Sequence, residues 1–153
     1  MARLEHMPED ERKHLLSIPC PKFTQTPFVK GSLLSQRRVA LISTAGIHRR
    51  GDQPFEMGTS NYRIIPADVT ANDLVMSHIS TNFDRTGFQQ DMNVIFPLDR
   101  LRELVKERLI GSLADFHYSF MGATDPAQME GTARALAGIM KHDSVNSVLL
   151  VPV

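Results

Sequence analysis

Tryptophan is absent, cysteine occurs once, and neither sign of charge predominates: 17 Lys and Arg stand against 17 Asp and Glu. A single thiol, Cys20, excludes an internal disulfide framework and fits a reducing, cytoplasmic setting. Balanced charge gives no field to draw nucleic acid or anionic lipid. The aromatics are only 7% of residues and interleave with no basic stripe, so nucleic acid is not an expected partner. No apolar run approaches the ~20 residues that span a bilayer. The charged N-terminus has no apolar signal core, so no membrane partner is expected either. Common signatures are missing too: no G-x-G-x-x-G after a strand, no Walker loop, no H-E-x-x-H, no C-x-x-C.

What remains is 153 residues, 42% apolar, enough for one domain with a sizeable core. Pro8 followed by Glu9, Asp10 and Glu11 predicts a short helix start, ended by Pro19. Residues 20–36, rich in Pro, Gly, Ser and Thr, read as a connecting arm ordered by Phe23 and Phe28. Residues 1–36 thus form an N-terminal helix and arm, and 37–153 an α/β domain. Arg38 to Thr44 is the first strong strand, followed by a polar loop from Ala45 to Asp52. Weaker strands are expected at Tyr62–Ile65 and Asp73–His78. Pro97 opens a helix with Leu98, Leu101, Leu104 and Val105 at helical spacing. Leu113 to Met121 predicts a strand, and Thr124-Asp125-Pro126 caps a second helix striped by Met129, Ala133, Leu136, Ala137 and Met140. Ser147 to Val153 is a short β-branched apolar run, expected to be a buried central strand. This alternation implies a single open, mostly parallel sheet with flanking helices, incomplete at its C-terminal end.

Polar residues cluster at strand ends, where open α/β sheets bind ligands. His48, Arg49, Arg50 and Asp52 follow the first strand, His78 and Asp84 the third, Ser119 and Gly122 the fourth. The guanidiniums suit a substrate carboxylate, or equally a solvated turn in which Arg50 pairs with Asp52. His78, Asp84, Asp91 and His117 are irregularly spaced for a metal, and none is expected. His117 in an alternating strand reads most simply as a hydrogen-bonded core or rim histidine, with Tyr118 and Phe120 on the opposite face. Ser43, His48 and Asp52 supply the residue types of a hydrolase triad without a strained elbow around the serine. Cys20, between prolines, reads as a structural thiol.

The stretches Val39 to Asp52, Ser77-His78, Phe83-Asp84, Asp91 with Asn93, Phe96 to Leu101 and His117 to Gly122 together resemble the selenoprotein B family. That family comprises glycine, sarcosine, betaine and D-proline reductases, and the likeness is greatest to its shorter, proline-reductase-like branch. The resemblance implies an oxidoreductase that cleaves a carbon–nitrogen bond of an amino acid or similar amine. It implies a selenocysteine or cysteine nucleophile after a terminal strand like Ser147–Val153, so the chain is expected to be the N-terminal part of a longer selenoprotein. No cofactor is expected in this chain. A pyruvoyl-bearing partner subunit and a dithiol or thioredoxin-like reductant are implied. Arg49 and Arg50, with His78, Asp84 and Ser119, are the expected substrate contacts, and His48, His117 and Asp52 the expected catalytic groups. A thiol or selenol redox protein of other substrate, or a non-catalytic interaction subunit, are the competing readings.

Overall fold

The strand β1 (Arg38–Ser43) is the axis of the computed structural model, which describes residues 4–20, 22, 24, 29–80 and 85–153. Phe23 and Phe28 lie outside the described residues. β1 pairs in parallel with β5 (Ser112–Leu113) and β6 (Phe116–Ser119) along one side, and with β7 (Ser147–Val151) along the other. β3 (Arg63–Pro66) adds to β6 in the antiparallel sense. The sheet is therefore mostly parallel and open, as expected.

Alternation along β1 sends its side chains to two cores. Val39 and Leu41 face a cluster with Ile65, Ile95, Phe96, Leu98, Leu101 and Ile110. Ala40 and Ile42 face the other, with Tyr118, Phe120, Leu136 and Met140. The helix α3 (Leu98–Lys106) covers the first face through Leu98 and Leu101, and α4 (Pro126–His142) covers the second through Leu136 and Met140. The α4 cap forms as the sequence indicates: the Asp125 side chain accepts from the Ala127 amide at 2.9 Å, with Pro126 in the first turn. Its apolar stripe is narrower than expected, since Ala133 and Ala137 are exposed. The helix α1 (Glu9–Ser17) also forms, yet Leu15, Leu16 and Ile18 are exposed.

Three expectations change. The polar loop after β1 is partly a strand, β2 (Ile47–Arg49), which pairs antiparallel with β4 (Leu74–Met76) in a separate two-stranded ribbon. The Leu113–Met121 run is broken into β5 and β6. Val39 faces Leu113 while Ile42 faces Tyr118, so this side spends more residues than β1 over the same stretch. Finally, β7 is neither central nor buried. It pairs with β1 alone among the described residues and lies at the outer edge of the sheet. Val148, Leu149 and Leu150 are all exposed, because nothing described lies beyond them. An apolar run records what a strand can bury, not what covers it.

Candidate active-site region

The C-terminal ends of β1, β6 and β7 meet at Thr44. Its amide donates to Val151 O at 3.1 Å, its Oγ1 accepts from the Val153 amide at 2.8 Å, and its carbonyl accepts from Gly122 N at 2.9 Å. Gly122 fits only because it has no side chain: a Cβ there would lie 2.8 Å from Val153 O and 2.9 Å from Thr44 O. Two residues on, Gly46 turns the chain at φ 64°. A Cβ on Gly46 would meet His78 Cα at 3.1 Å and Met121 Cε at 3.0 Å. The structure thus brings Thr44, Gly46, His78, Met121, Gly122 and Val153 to one end of the sheet. Gly46 and Thr44, which sequence reasoning passed over as site residues, organise this end. The glycine after a strong strand was the signal available.

From Gly46 the ribbon carries the arginines away. Ile47 N donates to Ser119 Oγ at 2.9 Å, and Ser77 N to Gly46 O at 3.0 Å, so the ribbon is tied to the sheet at its near end. At its far end Arg50 N donates to Asp73 O and the Arg50 guanidinium to Asn72 O. Arg50 therefore binds the Asn72 backbone rather than Asp52, whose amide closes the turn onto Arg49 O. Arg49, Arg50 and Asp52 are exposed there. The Asp73 carboxylate is held below its usual range by hydrogen bonds from Thr70, helped by Arg49 and Arg50. Arg49 and Arg50 share this corner with two carboxylates, Asp73 and Asp52, so the tip exposes guanidiniums without a net positive charge.

Three of the six histidines, His48, His78 and His117, are buried. His48 is 4% exposed; its Nδ1 lies 2.8 Å from Arg49 O, which assigns the proton to Nδ1 and leaves Nε2 a bare acceptor. That Nε2 has no hydrogen-bond partner among the described residues. His117 is fully buried, and its Nδ1 accepts from the Leu41 amide at 3.0 Å. The imidazole thus supplies the ladder acceptor missing where β5 and β6 break, and Nε2 carries its proton. Burial, then Arg102 and Arg38, lower its pKa to about 4, so the ring is neutral at neutral pH. His78 is lowered likewise by burial and then by Arg85, which donates to the His78 carbonyl.

Ser119 is fully buried as the acceptor for Ile47, and Ser43 Oγ is spent between Ile95 O and the Ala45 amide. Asp91 caps a short turn by accepting from Asn93. Asn93 accepts from Asp99 N, and Arg102 joins Asp99 to the carbonyls of Ala67 and Val69. This network fixes the start of α3. Tyr118 and Phe120 do face away from His117, as alternation requires. Asp84 and Phe83 lie outside the described residues.

The family model for glycine/sarcosine/betaine reductase selenoprotein B matches residues 10–153. The D-proline reductase subunit gamma of Acetoanaerobium sticklandii is 35% identical over 128 residues, covering 82% of this chain and 51% of that protein. A glycine reductase complex component B subunit gamma of Symbiobacterium thermophilum is 31% identical over 143 residues, 86% of this chain and 32% of that one. The sarcosine reductase complex component B subunit beta of Peptoclostridium acidaminophilum is 29% identical over 142 residues, with 86% and 32% covered. The chain thus spans about half the length of the first relative and about a third of the others. No solved structure matches it. No helix among the described residues is long and apolar enough to cross a membrane. By a family match running from the first helix through β7, the chain belongs to the glycine/sarcosine/betaine reductase selenoprotein B family.

Proposed function

We propose that this chain serves a selenol- or thiol-dependent reductase that cleaves a carbon–nitrogen bond of an amino acid or related amine. The observation that carries this reading is the family match over residues 10–153, with a D-proline reductase subunit among the relatives. The exposed guanidiniums at the ribbon tip suit a carboxylate: Arg49 and Arg50 bind the substrate's anionic end, Arg50 from a position held by the Asn72 carbonyl. His48 is the better proton acceptor, because its Nε2 is bare while the Nδ1 of His117 is committed to the Leu41 amide. His78 is buried at the Gly46 end, the opposite end of the ribbon from the arginines, and enters this reading as an expected substrate contact only. The Asp52 amide closes the turn that carries the arginines and its exposed carboxylate is the remaining proposed catalytic group, while Asp84 follows His78 in sequence.

The chemistry supplied by a selenocysteine or cysteine is nucleophilic attack at the carbon that loses the amine. Cys20 does not fit that part. It is exposed and lies on the N-terminal arm ahead of β1. A pyruvoyl group on a partner subunit is the expected activator of the amine, and no residue of this chain is assigned to holding it. A dithiol or thioredoxin-like protein is the expected reductant.

The test is reductase turnover in the assembled complex. Arg49→Ala is expected to raise KM for an amino-acid substrate by about tenfold, the loss of one charge-assisted pair of roughly 1.5 kcal/mol or more. His48→Asn is expected to lower kcat by about 100-fold or more. Unchanged KM and kcat in both variants would remove these assignments, and absence of amine release from any amino acid would remove the reductase reading.

A further inference from the structure

The two edges of the main sheet are finished differently. At β3 the edge is closed from within the chain: the Arg63 guanidinium bonds Gln53 O, Pro54 O and Asn61, and stacks 4.4 Å above the Phe55 ring. At β7 nothing described does this. Thr44 N donates to Val151 O and Val153 N to Thr44 Oγ1, so the odd-numbered backbone groups face β1. Strand alternation then turns the N–H and C=O of Val148 and Leu150 outward. Pro152 falls on the same outward side, where its missing N–H breaks no bond to β1.

The side chains are uncovered as well. Register places Val148 and Leu150 beside Ala40 and Ile42 on the α4 face, and Leu149 beside Leu41 on the α3 face. Both layers therefore run out at β7. On the α4 side a groove of about 250 Å³ lies between Met140, Lys141 and Val145 and the start of β7. From Ser147 to Val153 there is no charged side chain to deter pairing, unlike the edges proteins leave in water.

We propose that the outer edge of β7 is an internal joint of the family fold. A further strand lies along Val148–Leu150, with covering structure on both faces, drawn from the part of the reductase polypeptide that the relatives carry outside the stretch matched here. Length favours this occupant: about half of the D-proline reductase subunit gamma lies outside the match, enough for strands and covering helices together. A lone peptide strand would satisfy the backbone but leave Leu150 and Leu149 wet. The inference rests on family membership and not on the reductase reading, so it survives a failed turnover assay.

Hydrogen exchange on this chain and on the intact D-proline reductase subunit gamma tests it. The Val148 and Leu150 amides are expected to exchange at near-unprotected rates here, and the aligned amides of the relative at least 100-fold more slowly. Equal, fast exchange in both would overturn the joint. If this chain sediments as a dimer with slowed Val148 and Leu150 amides, the occupant is a second copy and the proposal fails. As a second measurement, Leu150→Lys is expected to leave the Tm of this chain unchanged, while lysine at the aligned position lowers that of the relative by about 5 °C. An unmoved relative would count against the joint.

Discussion

On one side of β1, Tyr118 is 2% exposed and Ser119 not at all; on the other, Val148, Leu149 and Leu150 are 39%, 37% and 67% exposed. Both neighbours are parallel to β1, though β6 mixes Phe116 and Tyr118 with His117 and Ser119 and keeps Phe116 exposed at its start, whereas β7 is apolar after Ser147. They differ in what lies outside them. β6 has β3 beyond it, the cores on both faces, and the His117 ring filling the gap in its ladder. β7 has β1 on one side and nothing described on the other. Parallel strands are stable where both faces are covered, so among the described residues the sheet is covered along the β6 flank and uncovered along the β7 flank.

Truncation on β1 itself sets the upper end of this contrast. Leu41→Ala empties a fully buried site facing the α3 core and is expected to cost roughly 2–5 kcal/mol in urea unfolding. Loss below 1 kcal/mol would mean that the β1 core is looser than its burial indicates.

Acid should act next, through the β6 flank. The pKa of His117 is lowered from 6.5 to about 4 in the folded chain, so the unfolded state binds the extra proton first. Its contribution is complete above about pH 6.5 and is lost as pH falls toward 4, on the order of 3 kcal/mol in all. His78 is shifted in the same direction and steepens the fall. His117→Leu is expected to flatten this pH dependence while costing about 1–3 kcal/mol at neutral pH, because the Leu41 amide loses its acceptor. His117→Asn, which keeps an acceptor near the Nδ1 position, is expected to cost less. An unchanged pH slope in both variants would deny the ring its place in the ladder.

Gly122→Ala joins the two flanks, since its Cβ would collide with Thr44 O and Val153 O. A cost of about 1–3 kcal/mol is expected, with faster exchange of the Val153 amide. Equal stability would show that the end of β7 yields freely. Smallest is Leu150→Ala, within about 0.5 kcal/mol in this chain because the side chain is already in water. A cost near that of Leu41→Ala would abolish the distinction between the flanks.

Local rules made much of this readable in advance. The cap at Asp125-Pro126, the spacing of Leu98 and Leu101, and the alternation that separates Tyr118 from His117 follow from residue chemistry and short-range geometry. What sequence could not supply depends on partners far along the chain. Ile47–Arg49 is too short a run to announce a strand, and becomes one because Leu74–Met76 lies opposite. His117 becomes a ladder acceptor because of a register slip set by β1. The family blocks marked His48, Arg49 and Arg50 as a unit. Yet the ribbon buries the histidine near the sheet and leaves the guanidiniums exposed at its far tip.

That ribbon has a consequence for how this protein can change. Its root is anchored by Ser119, Gly46 and Ser77, whereas the turn bearing Arg49 to Asp52 is held at the Asn72–Leu74 corner of the partner strand. Charge, length and shape at the turn can therefore be exchanged as on a detachable tool head, with the handle left in its socket. Substitutions at the turn can be explored without refolding the domain.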